Sequence, residues 1–540
     1  MLYFYLLVVL IDLFKCEEHI VEVEGGKLKG MAMKNYHGGY FLAFMSIPYA
    51  KPPLGPLRFK ALERVSPWDG IRDATKKVPT CLQKPFSEQT GVEDCIYANV
   101  YTRDLNPKQL KSVMIYIHEG GFYFGTSSVD VIGPHHLMIE DIVLVTFNYR
   151  LGAMGFLNID GSDIITNNGL KDQVYLLKWV QRNIHKFGGN KDSVTIFGES
   201  AGAAAVSLHL LSPMSKGLFH GAISQSGSAL SPWIYGTKDT GFKIARELGI
   251  TTDDPKLVVE ELRKVPYKDL FEAQQALDWY VHVETEWNGG IVIERNREDS
   301  FITAKALDIF EEGLESQVPY LIGFTDIDGN IMELFVKTSG IHYNFTLQRD
   351  IPHLLTKGDS TIVKEVTEDL KNFYFNGKLP ADYGYDLMEL ISDVWFKYPI
   401  VQVIRKYGNV QPVYLYEFRA DTKLNVYKNF VPDIAKYKGA GHVDDLGYIF
   451  KHGLNPEIEK GSAEDKFVEK MVKLWTNFAK HRKPIPNGPS SELDNVEWKA
   501  AKPDQMNCLI MDIDGLKDSV LDLKFAHFWD KLYEKYNRKY

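Results

Sequence analysis

The chain has 540 residues, of which 45% are apolar and 25% are charged, a composition typical of a soluble globular protein. Its formal charge of −9 provides no basic surface, which excludes nucleic acid as an expected partner. No internal repeat is visible, and beyond the N-terminus no stretch reaches the roughly eighteen apolar residues of a membrane span, so no membrane anchor is expected.

The N-terminal apolar run, Leu2 to Ile11, resembles the hydrophobic region of a secretory signal peptide and is too short to cross a bilayer. No Lys or Arg precedes the run, and Asp12 interrupts its end. We expect cleavage after Cys16, which makes residues 1–16 a signal peptide and the protein secreted. The alternative is a buried N-terminal strand. Asn344 begins the one glycosylation sequon, Asn-Phe-Thr, whose occupancy the sequence leaves open.

Four cysteines allow one disulfide to be predicted. Cys16 would leave with the signal peptide, and Cys508 has no obvious mate. Cys81 and Cys95 flank a short loop, and an oxidising compartment would let a bond between them persist. We therefore predict the pair Cys81–Cys95.

Short runs rich in β-branched and aromatic residues alternate with helical patterns through the first half of the chain. This alternation is typical of βαβ units and predicts an α/β fold with a large, mostly parallel sheet. Two further strand patterns lie far downstream, so the sheet should collect strands from most of the chain. The predicted strands are Val113–Ile117, Ile142–Asn148, Ser193–Phe197, Ala222–Gln225, Tyr320–Thr325 and Val413–Phe418.

Two long helices are predicted from apolar residues spaced three or four apart. One runs from Gly169 and ends at Gly188, and the other opens at the capping box of Ser462 and stops before Pro484. The stretches 233–312 and 330–410 are helical and aromatic in pattern, and we expect them to be insertions that roof the C-terminal edge of the sheet. No linker separates these parts, so residues 17–540 are predicted to form one domain.

The most informative segment is Thr195 to Gly202, which contains the sequence Gly-Glu-Ser-Ala-Gly between a predicted strand and an Ala-rich helix. In this context Gly-x-Ser-x-Gly marks a nucleophile at a strand-to-helix corner. The helix start also offers unpaired N–H groups for a developing oxyanion. Ser200 is therefore the candidate nucleophile, and the alternative is an ordinary tight turn.

A serine nucleophile needs a general base, and the base needs an acid to orient it. Among fifteen histidines, His442 stands out because it lies in a loop after Gly439-Ala440-Gly441. A histidine in such a loop is positioned by the backbone rather than packed on a helix face. His209, two turns into the helix after the serine, is more plausibly a packing residue.

A second Gly-rich segment, His118-Glu119-Gly120-Gly121, directly follows the strand predicted at 113–117. A loop of this type after such a strand supplies backbone donors to a carbonyl oxygen. Loss of one such donor typically costs ~10²–10³ in rate, so the loop matters as much as the nucleophile.

Together these segments resemble the type-B carboxylesterases of the cholinesterase-like family, most closely the secreted insect carboxylesterases. The resemblance runs almost from end to end and rests on several specific motifs. These are Ile47-Pro48-Tyr49-Ala50, Leu57-Arg58-Phe59, Glu93-Asp94-Cys95-Ile96-Tyr97, Asn148-Tyr149-Arg150-Leu151-Gly152, Asn168-Gly169-Leu170-Lys171-Asp172-Gln173, Phe187-Gly188-Gly189 and the serine motif.

The resemblance implies an α/β-hydrolase fold with an active site at the bottom of a gorge. It assigns the nucleophile to Ser200, the base to His442, and the oxyanion donors to the N–H groups of Gly120, Gly121 and Ala201. It also implies two structural ion pairs that fix loops, together with the disulfide already predicted. These pairs are Arg58 with Glu93 and Arg150 with Asp172.

The triad acid departs from the family pattern. The family usually has a Glu five residues after a Gly in a Pro-x-x-x-Gly segment, and the corresponding count from Gly323 leads to Asp328. An Asp is one methylene shorter, so the loop or the histidine must shift to restore the hydrogen bond. Asp326, two residues earlier, is the competing candidate.

Glu119 occupies a position where the family more often has the first glycine of the loop. One interpretation is that its carboxylate points into a polar niche behind the loop. The other is that it reaches the gorge floor, where it would repel anionic substrates or assist attack of water on a modified Ser200.

Two further observations in the sequence indicate the substrate class. The loop between the paired cysteines has no Trp with which to bind a quaternary ammonium group, and Phe86 is its only aromatic residue. Uncharged, apolar esters such as xenobiotic, pheromone or lipid-like esters are therefore expected. Juvenile hormone esterases typically show Gln where Glu199 stands, which disfavours the hormone-specific role. Glu199 is expected to tune the electrostatics beside the triad.

We therefore predict a secreted serine carboxylesterase that acts on small-molecule esters and reacts with organophosphate-type inhibitors. No metal or organic cofactor is expected, because metal-binding and cofactor motifs are absent from the sequence. The alternatives are a non-catalytic adhesion or binding protein, a lipid or odorant carrier, and a juvenile-hormone-type esterase. Oligomeric state is not predicted.

Overall fold

The structure is a computed structural model, and it describes residues 19–85, 89–162, 164–277, 289–313, 316–334, 347–378 and 384–540. The predicted signal peptide, the sequon at Asn344 and the loop residue Phe86 lie outside the described residues. Within them, no helix has the length and apolar character needed to cross a membrane.

The described strands form one large mixed sheet and one small sheet. In chain order they are β1 (Ile20–Val23), β2 (Gly26–Lys29), β3 (Met31–Lys34), β4 (Tyr40–Pro48), β5 (Ile71–Asp73), β6 (Tyr97–Thr102), β7 (Lys111–Ile117), β8 (Val143–Phe147), β9 (Gly189–Glu199), β10 (Gly221–Gln225), β11 (Tyr320–Thr325), β12 (Val413–Phe418), β13 (Asn507–Asp512) and β14 (Gly515–Val520). The large sheet has the order β14-β13-β12-β11-β10-β9-β7-β8-β6-β4-β3, and β1, β2 and β5 form the small one.

The centre of the large sheet is parallel. Strand β7 pairs in parallel with β8 and β9, and the parallel pairing continues from β9 through β10, β11 and β12 to β13. At both edges the pairing is antiparallel, between β13 and β14 on one side and from β8 outwards on the other. The α/β architecture with a mostly parallel sheet is thus confirmed, and the antiparallel edges are additional.

Strand β7 shows why the centre is buried on both faces. Val113 and Ile115 pack into one hydrophobic cluster, whereas Met114 and Tyr116 pack into a second cluster on the opposite face. Side chains alternate across a strand, and a run that is apolar at every position fits a sheet covered on both faces. Helices from the rest of the chain provide this cover.

The described helices flank the sheet, and several of them lie in the two predicted insertions. They are α1 (Gly152–Phe156), α2 (Asn168–Asn183), α3 (Ala201–Leu211), α4 (Thr240–Glu247), α5 (Pro255–Lys264), α6 (Tyr267–Gln275), α7 (Ala306–Glu312), α8 (His353–Thr356), α9 (Ser360–Tyr374), α10 (Tyr385–Ser392), α11 (Tyr398–Tyr407), α12 (Val426–Phe430), α13 (Pro432–Ala435), α14 (Leu446–Ile449), α15 (Ala463–His481) and α16 (Lys524–Lys535). A π-helical turn, Asp393–Lys397, joins α10 to α11.

Both long helices predicted from the sequence are present. Helix α2 continues as a short 3₁₀ segment and ends at Gly188, which has a φ of 77°. Helix α15 begins after Ser462, whose side chain accepts a hydrogen bond from the N–H of Asp465, and it ends at Arg482 in a left-handed conformation rather than at the following proline.

The two predicted ion pairs are present and fix the chain around the first βαβ units. Arg150 is bidentate on Asp172, with Nε–Oδ2 at 2.8 Å and Nη2–Oδ1 at 2.6 Å, and Asp172 is fully buried on α2. Arg58 is bidentate on Glu93 and also donates to the carbonyl of Val265. Each arginine therefore joins segments that are distant in the sequence.

Cys81 and Cys95 form a disulfide, as predicted, across a sequence separation of 14 residues. Cys508 is free and buried on β13.

Replacement of both Cys81 and Cys95 by Ser should lower the free energy of unfolding by about 3 kcal/mol, because the open chain regains the entropy that the closed loop removes from the unfolded state. Urea unfolding of the double variant measures this change. The matched control is Cys508→Ala, which removes a thiol without opening a loop. Identical unfolding curves for the wild type and the double variant would contradict the prediction.

Candidate active site

Ser200 lies at the sharp corner between β9 and α3. Its backbone has φ 54° and ψ −118°, an unusual conformation for a residue other than glycine, and its N–H donates to the carbonyl of Gln225 on the neighbouring strand. A Cβ on Gly202 would lie 2.0 Å from the carbonyl oxygen of Ile117, so glycine is required there for close packing. The corner leaves Ser200 half-buried at the carboxyl edge of the sheet.

The Gly-rich loop follows β7 and faces the same edge. Gly120 and Gly121 have φ values of 104° and 61°, a region that favours glycine. A Cβ on Gly120 would lie 2.2 Å from the carbonyl oxygen of Phe124. Ala201 is the first residue of α3, so its N–H has no acceptor within the helix.

His442 and Asp328 are hydrogen-bonded, with the Nδ1 of the ring 2.8 Å from Oδ1. Both side chains are buried. The second carboxylate oxygen, Oδ2, accepts hydrogen bonds from the hydroxyl of Ser226 at 3.0 Å and the N–H of Thr325 at 2.9 Å. Asp328 is therefore held on both oxygens, and it can fix the orientation of the imidazole.

Asp326, the competing acid, makes a different contact. Its Oδ1 accepts a hydrogen bond from the N–H of Ala440 at 2.7 Å, two residues before His442. Burial raises the pKa of Asp326 to about 7. Asp328 rather than Asp326 thus contacts the ring, and Asp326 contacts the backbone of the loop that carries it.

Glu199 lies beside the second ring nitrogen. Its Oε1 is 3.3 Å from Nε2 of His442, and the side chain is fully buried. No hydrogen bond from a described residue reaches either oxygen. Burial, followed by the nearby carboxyls of Asp445 and Glu119, raises the pKa of Glu199 well above its usual value, which favours the neutral acid.

Glu119 is also buried, at 5% exposure, and its Oε2 accepts a hydrogen bond from the hydroxyl of Tyr116 at 2.7 Å. Tyr116 is the penultimate residue of β7, the strand that the Gly-rich loop follows. Burial raises the pKa of Glu119, and the hydrogen bond from Tyr116 opposes this shift. Its charge is close enough to contribute to the raised pKa of Glu199. The carboxyl is therefore buried against Tyr116 and is electrostatically coupled to Glu199 and His442.

Sequence reasoning did not single out the two acids that follow His442. Asp445 accepts hydrogen bonds from the side chains of Gln225 and Tyr416, and burial raises its pKa to about 6. Asp444 accepts from the N–H of Gly441 at 2.6 Å, and burial raises its pKa to about 7. The Asp-Asp pair next to the candidate base was a usable signal.

Phe396 was also missed. It lies in the π-helical turn, and its ring centroid is 4.7 Å from that of His442. In the same turn the carbonyl of Trp395 accepts a hydrogen bond from the indole of Trp233. The only signal in the sequence was the high aromatic content of the insertion.

His209 is packed inside the protein, as predicted. Its two ring nitrogens contact the hydroxyl of Ser215 at 2.7 Å and the amide oxygen of Gln173 at 2.8 Å, and all three side chains are fully buried. Substrate cannot reach this Ser-His pair. In the described part of the chain, no group of His, Cys, Asp and Glu side chains could hold a metal ion.

Comparison with known proteins gives a consistent result. A model of the Carboxylesterase family matches residues 17–529. The chain is 33% identical to juvenile hormone esterase of Tribolium castaneum over 516 residues, covering 89% of this chain and 85% of that protein. It is 34% identical to esterase FE4 of Myzus persicae over 496 residues, covering 88% and 86%.

A solved structure is similar over almost the whole chain. The crystal structure of juvenile hormone esterase from Manduca sexta, with OTFP covalently attached, superposes with a TM-score of 0.84 at 30% sequence identity. The match covers 96% of this chain and 100% of that chain.

Proposed function

The chain belongs to the carboxylesterase family and is a carboxylic ester hydrolase, and on that premise we propose that Ser200, His442 and Asp328 carry the reaction. The single observation that supports this assignment best is the 2.8 Å hydrogen bond between Asp328 and His442, next to the serine corner. The resemblance implies the same three residues in the same chain order.

In the first half of the reaction, Ser200 Oγ attacks the ester carbonyl while Nε2 of His442 takes its proton. Asp328 holds the opposite nitrogen and stabilises the imidazolium that forms. The N–H groups of Gly120, Gly121 and Ala201 donate to the oxyanion. Collapse of the tetrahedral intermediate breaks the bond to the alcohol, which leaves with the proton from His442.

In the second half, water takes the place of the alcohol. His442 accepts a proton from the water as its oxygen attacks the acyl group on Ser200, and then returns that proton to the serine oxygen. The carboxylic acid departs, and the enzyme regains its starting state.

Ser200→Ala and His442→Ala should each lower kcat for a nitrophenyl ester by about 10⁶-fold, and Asp328→Asn by about 10⁴-fold, because each removes one function of a unit that acts together. A stopped or continuous nitrophenol assay measures the loss. An organophosphate should label the wild type at Ser200 and leave Ser200→Ala unlabelled.

The control for this series is His209→Gln, which changes a second buried, hydrogen-bonded histidine and should keep near wild-type turnover in the folded protein. Full activity in the Ser200→Ala variant would refute the assignment, and so would a loss in His209→Gln as large as that in His442→Ala.

We further propose that the preferred esters are uncharged. Glu119 and Glu199 lie buried near His442, where burial raises the pKa of both carboxyls and so disfavours negative charge. An anionic substrate would meet the same penalty, and the ionised form of Glu119 would repel it further. The aromatic ring of Phe396 against His442 adds an apolar surface.

Between two nitrophenyl esters of equal length, a butyrate should be hydrolysed with a kcat/KM at least about tenfold above that of a hemisuccinate, which corresponds to ~1.4 kcal/mol of repulsion. Glu119→Gln keeps the side-chain volume and an acceptor for the Tyr116 hydroxyl. It should bring the ratio of kcat/KM for the butyrate to that for the hemisuccinate closer to one. The control, Glu492→Gln, removes a carboxylate from an exposed ion pair with Lys473 and should leave the ratio unchanged. Equal rates for the two esters in the wild type would rule out this basis for selectivity.

We also propose that the protein is secreted. The apolar run at residues 2–11 and the Cys81–Cys95 disulfide both support an oxidising, extracellular destination.

Expression of the full chain in insect cells should therefore release active esterase into the medium with a new N-terminus at Glu17, which N-terminal sequencing detects. Replacement of Leu6 and Leu7 by Asp should retain the enzyme inside the cell. Intracellular protein that still begins at Met1 in the wild type would contradict this proposal.

A further inference from the structure

Asp328 and His442 lie on two short segments that are far apart in sequence and lie side by side in the structure. We call residues 326–330 the acid segment and residues 439–442 the histidine loop. The N–H of Ile327 donates to the carbonyl of Ala440 at 3.2 Å, and Ile327 forms a parallel β-bridge with Gly441. The two segments therefore pair as neighbouring strands would.

Alternate residues of the acid segment contact the histidine loop. Oδ1 of Asp326 accepts from the N–H of Ala440 at 2.7 Å, and Oδ1 of Asn330 accepts from the N–H of His442 at 2.9 Å. Between them, Asp328 binds the ring of His442 at 2.8 Å. The two outer side chains hold the backbone, and the middle one holds the imidazole.

We propose that Asp326 and Asn330 are positioning residues that set the distance between Asp328 and His442. The inference rests on the proposed function of Ser200, His442 and Asp328. Neither outer residue reaches the reacting atoms. Each accepts a hydrogen bond from the backbone of the histidine loop. Together they hold the loop close enough for the short side chain of Asp328 to reach the imidazole.

The close packing of the two segments supports this role. A Cβ on Gly441 would lie 2.0 Å from Nδ2 of Asn330, and a Cβ on Gly439 would lie 2.6 Å from Oδ2 of Asp326. The glycines thus allow the loop to approach the two outer side chains directly. Any shorter side chain at 326 or 330 would leave a gap into which the loop could relax.

The loop has other attachments that are independent of the acid segment. The N–H of Gly439 donates to Asp421 at 3.0 Å, and that of Gly441 donates to Asp444 at 2.6 Å. The buried ammonium group of Lys428 donates to the carbonyls of Tyr437 and Gly439. Loss of one outer contact should therefore shift the loop rather than unfold it.

Charged groups around Asp326 affect the protonation of this carboxyl but not its geometry. Burial raises its pKa to about 7, Glu417 adds to the rise, and Lys397 and Arg419 oppose it. Assays at pH 8 keep most of the carboxyl ionised. Asp326→Asn retains an acceptor oxygen and removes the charge. This variant therefore distinguishes the effect of the hydrogen bond from the effect of the charge.

Asp326→Ala and Asn330→Ala should each lower kcat by about tenfold to a hundredfold while KM changes less than about threefold, because a shift of about 1 Å at the base impairs proton transfer without changing substrate contacts. Asp326→Asn should restore kcat to within about threefold of the wild type. The rate of organophosphate labelling of Ser200 should fall in parallel with kcat, since that reaction needs the same base.

The matched control is Asp518→Ala, which also removes a carboxylate that accepts backbone N–H groups, those of Glu497 and Trp498, far along the chain from the triad. It should leave kcat unchanged. If Asp326→Ala does not fold, Asn330→Ala applies the same test at the other end of the acid segment.

Wild-type kcat in both alanine variants would overturn the inference, as would a loss in Asp326→Asn equal to that in Asp326→Ala, or a loss that appears in KM alone. Failure of the proposed function looks different, because turnover would then survive in Ser200→Ala. The inference fails by itself when Ser200→Ala is inactive and the alanine variants at 326 and 330 are not impaired.

Discussion

The hydrogen bond from His442 to Asp328 joins residues separated by 114 positions, and the surrounding structure serves to bring those two residues together. Asp328 follows β11, and His442 lies in the connection after β12, the parallel neighbour of β11. Ser200 follows β9, two strands away in the same sheet. Because the carboxyl ends of parallel strands lie at one edge of a sheet, these three residues lie at the same edge although they are far apart in the sequence.

The proposed nucleophile has a clearer signal in the sequence than its two proposed partners. The corner at Ser200 is specified locally, by a strand pattern, two glycines that allow close packing and an Ala-rich helix. The bounds of β11 and β12 were also predicted correctly, since a run of mostly apolar and aromatic residues marks a buried strand. Edge strands carry weaker signals. Strand β3 is exposed at three of four positions, and β14 has one buried residue, so neither has a recognisable pattern.

The contacts around Asp328 and His442 depend on tertiary structure and have no local signature. Asp326 and Asp328 are two residues apart with similar neighbours, and only the β-bridge between Ile327 and Gly441 determines which of them faces the ring. Phe396, whose ring packs against that of His442, lies in the π-helical turn between α10 and α11, and no local pattern marks this contact. Residues such as Ser200, whose place depends on their own backbone and close neighbours in the chain, could be picked out from the sequence. The contacts of Asp326, Asp328 and Phe396 could not, because they depend on the register between distant segments.

Several buried carboxyls lie around His442, and their charges affect which protonation states are favourable beside its ring. In the proposed reaction Nε2 of His442 accepts the proton of Ser200, and Oε1 of Glu199 lies 3.3 Å from that nitrogen. An ionised Glu199 would favour a proton on Nε2 and so remove the base. Burial and the neighbouring acids raise the pKa of Glu199 and favour its neutral form. Asp445, with hydrogen bonds from Gln225 and Tyr416, adds to that rise. Burial first, and then the repulsion among these acids, therefore disfavours a negative charge beside Nε2 of His442.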